Sequence, residues 1–373
     1  MIYLDYSANT PADPEVIARF AHVESTLFGN PNSHHVLGYA AREEIDRSTE
    51  RIASVLGVSP AEIIYTSGAS EANNLAIKGT SRIQRHVGRH IVSTPLEHSS
   101  VSGSLTALQE QGWEIELCDV RRDGKLDLES LECLIRDDTV LVCISAVDSE
   151  LGVIQPVKEI SELVRRHPKC RLHVDATQAV GKIPVSFDGV DTMSLTGHKF
   201  YGLNGAGLLI KRRSVAIEPL ISGGESTTIY RSGTPTAALD SSLALALEKA
   251  VQLQPERSES VKHLSEMLRL ELASRPGVVI NSPADAIAHI LNLSVTGIKA
   301  TAFQRALSEH GVCVSVKSAC SSDGMPSRAV FAVSRDRKNS LSSWRISLSH
   351  LTSESELNEF LKIFDECRLA LSR

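Results

Sequence analysis

The chain has 373 residues and a formal net charge of −6, room for one large domain and a smaller one and no broad basic surface for nucleic acid, although Arg212 and Arg213 could still touch a phosphate. Hydrophobic residues at 42%, charged residues at 23% and aromatics at 4% exclude a disordered or collagen-like chain. The seven cysteines (Cys118, Cys133, Cys143, Cys170, Cys313, Cys320 and Cys367) are scattered without a CxxC pair, which excludes a disulfide framework and a structural zinc site.

The N-terminal MIYLDYSANTPADPEV reads as an apolar strand and a turn with no basic, long-apolar leader, and a cytoplasmic protein is expected. From Leu37 to Leu56, Ala41, Ile45, Ile52 and Leu56 fall at helical spacing, and Gly57 follows as a C-cap. EIIYTSG is a short strand that breaks at Gly68, and SEANNLAIKG is a helix starting near Ser70. A strand, a tight turn and a helix N-terminus together form a geometry suited to an anion.

Further on, HIVST, WEIELCDV, LVCISAV, CRLHVDA and TMSLTG are short apolar runs separated by helical stretches such as VKEISELVRRH. This alternation predicts an α/β fold with a mostly parallel sheet and helices on both faces. Around Pro235 to Leu247 the chain becomes Ala/Leu-rich and helical; from Pro255 the order is helix, strand (HILNLSV), helix, strand (VCVSV) and a C-terminal helix. Polar stretches near Ser258 and Ser353 read as helix starts. Residues 12–250 are expected to form a large domain, and residues 1–11 with 251–373 a smaller α+β one.

Lys199, in SLTGHKFYGLNGAGLLI, lies between a polar turn and a glycine-rich stretch; alone it would be a solvated loop lysine. Asp175, in HVDATQAVG, stands at the carboxyl end of a strand, where open α/β sheets bind ligands, yet it could equally cap a helix. His98, in TPLEHSS, could cap a helix or be a satisfied buried histidine. Cys320 follows the apolar strand GVCVSV and opens a Ser/Asp/Gly/Pro run, which suits an exposed loop nucleophile. Cys313 is expected to be an inert core thiol within that strand.

Taken in order, LDYSANTPADPEV, FGNPNSHH, YTSGASEANNLAIKG, LEHSSV, ELGVIQP, VDATQAVGK, SLTGHKFYG, RSGT, SVKSAC and RISLS resemble the cysteine desulfurase family from end to end. The resemblance implies the fold of fold-type I pyridoxal-phosphate transferases and an enzyme that converts L-cysteine to L-alanine. It implies that Lys199 carries the cofactor as a Schiff base, that Asp175 pairs with the ring nitrogen, that His98 stacks on the ring, and that Gln178 and the residue at position 148 approach the phenolic oxygen. Ala69, Ser70, Thr196 and His198 would hold the phosphate, with Thr234 reaching it from the partner subunit of a homodimer. Arg345 and Asn30 would bind the substrate, Arg345 by its carboxylate; by itself Arg345 could be a surface arginine. Cys320 would take the sulfur as a persulfide and pass it to an acceptor protein, on a long loop that reaches partners.

Four departures from the family pattern stand out. Asp148 replaces an asparagine in DSELG, so a carboxylate is expected either protonated or turned away, with a raised cofactor pKa. Lys317 replaces a glycine before Cys320 and should favour its thiolate. GGESTTIY and Asn9 also depart, which suggests a specialised member serving iron-sulfur, tRNA-thiolation or DNA-phosphorothioation chemistry. A selenocysteine lyase or another β-eliminating enzyme, an aminotransferase, and an inactive partner-binding scaffold stay open as alternatives.

Overall fold

The computed structural model describes residues 1–316 and 325–372. A short strand β1 (Ile2–Tyr3) and helices α1 (Pro14–Thr26) and α2 (Val36–Leu56) precede the sheet. Asp13 caps α1, and α2 ends on Gly57 at φ 65°, a left-handed position that glycine adopts without strain.

The sheet is built from β2 (Ile63–Thr66), β3 (His90–Ser93), β4 (Glu114–Leu117), β5 (Thr139–Ser145), β6 (Arg171–Asp175), β7 (Thr192–Thr196) and β8 (Gly207–Lys211). Its seven strands lie in the order β2-β8-β7-β6-β5-β3-β4. Strands β4, β3, β5, β6 and β7 are parallel, whereas β8 runs antiparallel to both β7 and β2. Because β2 opposes β8 and β8 opposes β7, β2 shares the direction of the parallel set. The carboxyl ends of six strands therefore meet at one edge, where ligands of open sheets bind. Every residue of β5 is buried, as befits a strand covered on both faces; β4, at the margin, carries exposed Glu114, which blunts that edge.

Helices α3 (Ala69–Gln84), α4 (Ser99–Gln109), α5 (Leu128–Leu134), α6 (Val157–Val164) and α7 (Ala237–Gln252) connect or cover these strands. The largest apolar cluster joins Val142, Leu172, Val174 and Leu195 of the sheet to Ile160 and Leu247 of the helices. Helix α8 (Gln254–Ala273) follows α7 almost at once, with Pro255 tolerated in its first turn. Ser258 thus lies inside a helix rather than at its start, and its hydroxyl donates to the Lys182 carbonyl instead. Ser353, by contrast, does cap a helix.

A three-stranded antiparallel sheet of β9 (Val278–Ile280), β10 (Ile290–Val295) and β12 (Ser343–Ser347) has the order β12-β10-β9. Helices α9 (Ala300–Glu309), α10 (Arg328–Ser334), α11 (Arg337–Ser342) and α12 (Glu354–Leu371) accompany it, and β11 (Val312–Cys313) pairs in parallel with β1. A second apolar cluster centres on Phe303, stacked on Trp344 at 5.3 Å, and on Phe360 and Phe364; Ile2 and Leu4 join it from the N-terminus. Cys313 departs from the sequence expectation: β11 spans two residues only, and its thiol is half-buried rather than in the core. Among the described residues no helix is long and apolar enough to cross a membrane.

Candidate active site

A cavity of about 300 Å³ opens at the edge where the strand ends meet. Its wall includes Ser67, Gly68, Ala69 and Ser70 after β2, His98 after β3, Ser145 and Val147 at the end of β5, Asp175 and Gln178 at β6, and Thr196, His198 and Lys199 at β7. Ser7, Ala8, Ser149 and Arg345 complete it.

Lys199 stands on the tight turn Gly197–Lys199 that leaves β7. The turn is braced from the N-terminal segment: the Thr10 backbone N–H and hydroxyl both donate to the His198 carbonyl, and Tyr201 N–H donates to Thr10 Oγ1 at 2.8 Å. Tyr201 is one of two non-glycine residues with positive φ (67°) among the described residues, a conformation that costs on the order of 1–3 kcal/mol. Contacts on several sides hold it there: its hydroxyl meets Ser349 Oγ at 2.6 Å, its ring meets His350 edge-on, and the Arg257 guanidinium lies over the ring. Lys199 Nζ donates to the carbonyls of Ser7 and Ala8 at 2.8 and 2.7 Å.

The anion cradle expected from TSGAS is present. Gly68 has φ 149° and opens α3 without a side-chain cap, so the first N–H groups of a 16-residue helix face the cavity wall. Strand β8 packs so closely here that a Cβ on Gly207 would stand 2.5 Å from Gly68 Cα; only glycine fits. Thr196 Oγ1 donates to the Ala206 carbonyl, leaving His198 Nδ1–H to donate to Thr196 Oγ1 at 3.1 Å. Burial, aided by Lys199 and Lys182, lowers His198 to about 4, so it serves as a neutral donor. Glu71, in the first turn of α3, is occupied by Arg231 at 3.0 Å and by Ser67 N–H. Burial alone would raise its carboxyl, but these bonds outweigh burial and hold it below the ordinary range.

Asp175 is the last residue of β6. One carboxylate oxygen accepts from Thr177 N–H and the other from Asn73 Nδ2 at 2.8 Å. Asn73, fully buried on α3, also donates to Ser100 Oγ, while its Oδ1 accepts from His173 Nε2 and from the Ser194 hydroxyl. Burial lowers His173 to about 4, and Thr192 Oγ1 satisfies its Nδ1. Asn73 and His173 were not singled out from the sequence. The available signal was weak: Asn73 lies inside TSGASEANN one turn past Ser70, but a buried asparagine has no pattern of its own.

His98 both caps α4 and lines the cavity, so the two sequence readings of it coexist. Its Nδ1 accepts from Ser100 N–H, which places the proton of the neutral ring on Nε2; burial pushes its pKa down. Gln178 lines the cavity with its Nε2 donating to the Ser7 carbonyl at 2.9 Å and its Oε1 accepting from Lys182 Nζ at 2.8 Å.

Arg345, on β12, is 2% exposed rather than a surface arginine. Its Nη1 donates to the Ser149 carbonyl at 2.6 Å and its Nη2 to Asp5 at 3.1 Å, while its buried Nε has no hydrogen-bond partner among the described residues. Asp148 is not brought to the wall. Its Oδ2 accepts from the N–H groups of Glu150 and Leu151, Oδ1 is buried without a partner, and burial, with Glu150 nearby, raises it to about 7. The carboxylate is thus turned away from the wall, and its raised pKa also favours the protonated form, so the two expectations for it are compatible. Asn30 also stands outside the cavity, its Oδ1 accepting from Asn32 N–H. Thr234 lines a separate cavity of about 280 Å³ with Arg231, Ser67 and Asp240. Cys320 and Lys317 lie outside the described residues.

The chain matches the family model for class-V aminotransferases over residues 2–360. It is 35% identical to the NifS/IcsS protein homolog of Lactobacillus delbrueckii subsp. bulgaricus over 98% of this chain and 97% of that one. It is 36% identical to the human cysteine desulfurase over 96% of this chain and 79% of the relative. A solved NifS-like protein superposes with a TM-score of 0.93 at 33% identity, covering 99% of this chain and all of the other. The chain belongs to the class-V aminotransferase family and, within it, to the cysteine desulfurases.

Proposed function

We propose that the protein is a pyridoxal-phosphate enzyme, working as a cytoplasmic homodimer, that takes sulfur from L-cysteine, leaves L-alanine and passes the sulfur from Cys320 to an acceptor protein. The observation that carries this reading is the convergence of Lys199, Asp175, His98, Gln178 and Arg345 on one cavity that also holds the uncapped N-terminus of α3. The donor set fits the cofactor. The helix N-terminus, Ser70 and the His198–Thr196 pair suit a phosphate dianion, and Asp175, with each carboxylate oxygen fixed by a donor, suits a protonated pyridine nitrogen. Two hydroxyls of the wall, Ser7 Oγ and Thr177 Oγ1, are buried without hydrogen-bond partners, as expected where a polar ligand completes the site.

Pyridoxal phosphate, when bound, supplies an aldehyde for amines and a conjugated ring that accepts the electrons of a broken Cα–H bond. Lys199 would hold the cofactor through Nζ, and the same Nζ would take the Cα proton of the substrate. Arg345 orients the substrate through its carboxylate, since Ser149 and Asp5 each take only one of the five N–H donors of the guanidinium. His98, neutral with its proton on Nε2, can hand that proton to a reacting atom and recover it. The Cys320 thiolate attacks the substrate sulfur: an Sγ–S bond forms, the C–S bond breaks, and the carbon keeps the electron pair and is protonated to become alanine. In the homodimer, Thr234 would serve the partner's phosphate, which accords with its lying in a cavity apart from Lys199 of its own chain.

Incubation with cysteine followed by mass spectrometry is expected to show one added sulfur on the Cys320 peptide and alanine in equal amount. Cys320→Ala should abolish both; sulfide release that survives it would favour direct β-elimination and overturn the persulfide route.

A further inference from the structure

Gln178 meets two groups whose chemistry fixes its orientation. The Ser7 carbonyl can only accept, so it takes Nε2–H, and this leaves Oε1, itself only an acceptor, to receive an N–H from Lys182 Nζ. The Ser7 carbonyl also accepts from Lys199 Nζ at 2.8 Å. Two hydrogen bonds therefore link Lys182 to the amide, and the amide to the carbonyl that seats Lys199. The second hydrogen on Nε2 remains for a ligand in the cavity that Gln178 lines.

Lys182 is 8% exposed and lies four residues after Gln178 on the turn that follows β6. Its own carbonyl accepts from Ser258 Oγ at 2.7 Å and Gln254 Nε2 at 3.2 Å, so α8 pins its backbone. Lys199, Arg257, His289 and His350 line a small cavity with it, and among the described residues no carboxylate lines that cavity; Arg345 adds further positive charge nearby. Burial first, then the charges of Lys199 and Arg345, lower Lys182 to about 7. Keeping an amine in such a place is unfavourable unless its hydrogen bond matters.

Resting on the reading that pyridoxal phosphate occupies the cavity, we propose that Lys182 is a positioning residue that holds the Gln178 amide with its N–H toward the cofactor's phenolic oxygen. A donor held there stabilises the anionic oxygen and weakens its grip on the neighbouring proton. Losing the donor strengthens that grip and moves the pH midpoint of the bound cofactor's visible band upward.

The test compares wild type, Lys182→Met, Lys182→Gln, Gln178→Leu and the Lys182→Met/Gln178→Leu double variant, each loaded with pyridoxal phosphate and titrated by absorbance. Lys182→Met is expected to raise the midpoint by about one unit, Lys182→Gln, which keeps a donor, by less than half of that. In the Gln178→Leu background the methionine change should add less than a third. A shift of equal size with and without Gln178 would show a through-space charge effect and overturn the positioning role, as would an unmoved midpoint in Lys182→Met. Proteins labelled with ¹⁵N-glutamine give a readout that needs no cofactor: the Gln178 side-chain amide, identified by its loss in Gln178→Leu, should lose protection from exchange in Lys182→Met. If wild type shows no visible band, the cofactor reading fails on its own, and an unchanged amide signal is then what would overturn the role of Lys182.

Discussion

The two sides of the cavity are built differently. On the Asp175 side, each polar atom of the Asp175, Asn73 and His173 side chains has a partner, and the chain of bonds reaches Ser100, Thr192 and Ser194. On the Arg345 side, Asp148 Oδ1 and Arg345 Nε are buried and have no partner among the described residues, where Arg345 leans on a single carboxylate, Asp5. A fully satisfied network rigidifies its surroundings, whereas an orphaned donor or acceptor carries a desolvation cost that a ligand or a proton can relieve. The first side is thus preorganised, and the second is poised to respond to what binds.

The comparison predicts its largest effect at Asn73. Asn73→Ala strips partners from Asp175, His173, Ser194 and Ser100 together, and is expected to lower stability by roughly 2–4 kcal/mol in denaturant titrations. A loss below 1 kcal/mol would mean that water replaces the amide easily and that this side is not the rigid one.

Asp148 gives the next effect, with a definite sign. Its pKa is raised in the folded state, so the folded protein holds a proton that the unfolded one releases. Its contribution to stability is most favourable below the ordinary carboxylate range and declines as pH rises toward about 7, then stays level. Asp148→Asn keeps an acceptor for the Glu150 and Leu151 N–H groups and removes the titration. It should be more stable than wild type by about 1–3 kcal/mol at pH 8, with the gap closing toward pH 4. Glu97, likewise raised to about 7 by burial, is present in both proteins and cancels in the difference. A pH-independent gap would show that Asp148 does not titrate.

A smaller effect is expected at Asp5. Its two oxygens hold Arg345 Nη2 and Ser315 Oγ, so Asp5→Asn should loosen Arg345 and raise KM for cysteine about tenfold, near 1.4 kcal/mol, with little change in kcat. An equal loss in kcat and in kcat/KM, with KM unchanged, would place Asp5 in the chemical step instead.

The same contrast marks what could be read from the sequence. Lys199, Asp175 and the Gly68 turn were legible because each sits where the backbone leaves a strand, and alternating strands and helices fix those places before any side chain packs. Asn73 and His173 meet across 100 positions of sequence, so neither announces the other. The direction of Asp148 is a rotamer choice made by two backbone N–H groups that exist only once residues 148–152 have turned. The burial of Cys313 is not legible in the same way: the apolar run around it suggests a longer strand, whereas β1 pairs with only two residues of β11 and leaves the thiol half-buried at its end.

His98 is where the satisfied side reaches the reacting groups, and it carries the smallest effect. Asn73 donates to Ser100 Oγ, and Ser100 in turn presents both its hydroxyl and its N–H to His98 Nδ1. Protonating Nδ1 would break the cap of α4 and set a cation at a helix N-terminus, which the helix dipole opposes. The ring should therefore stay neutral with Nε2–H, and its pKa should lie below the ordinary histidine value, chiefly through burial. ¹⁵N-histidine spectra recorded against pH are expected to show this tautomer down to mildly acid conditions. Ser100→Ala removes the hydroxyl and keeps the N–H, and should raise the His98 pKa by about half a unit, under 1 kcal/mol. An Nδ1–H tautomer in wild type would cut His98 off from the Asn73 network, and the satisfied side would then end at Ser100.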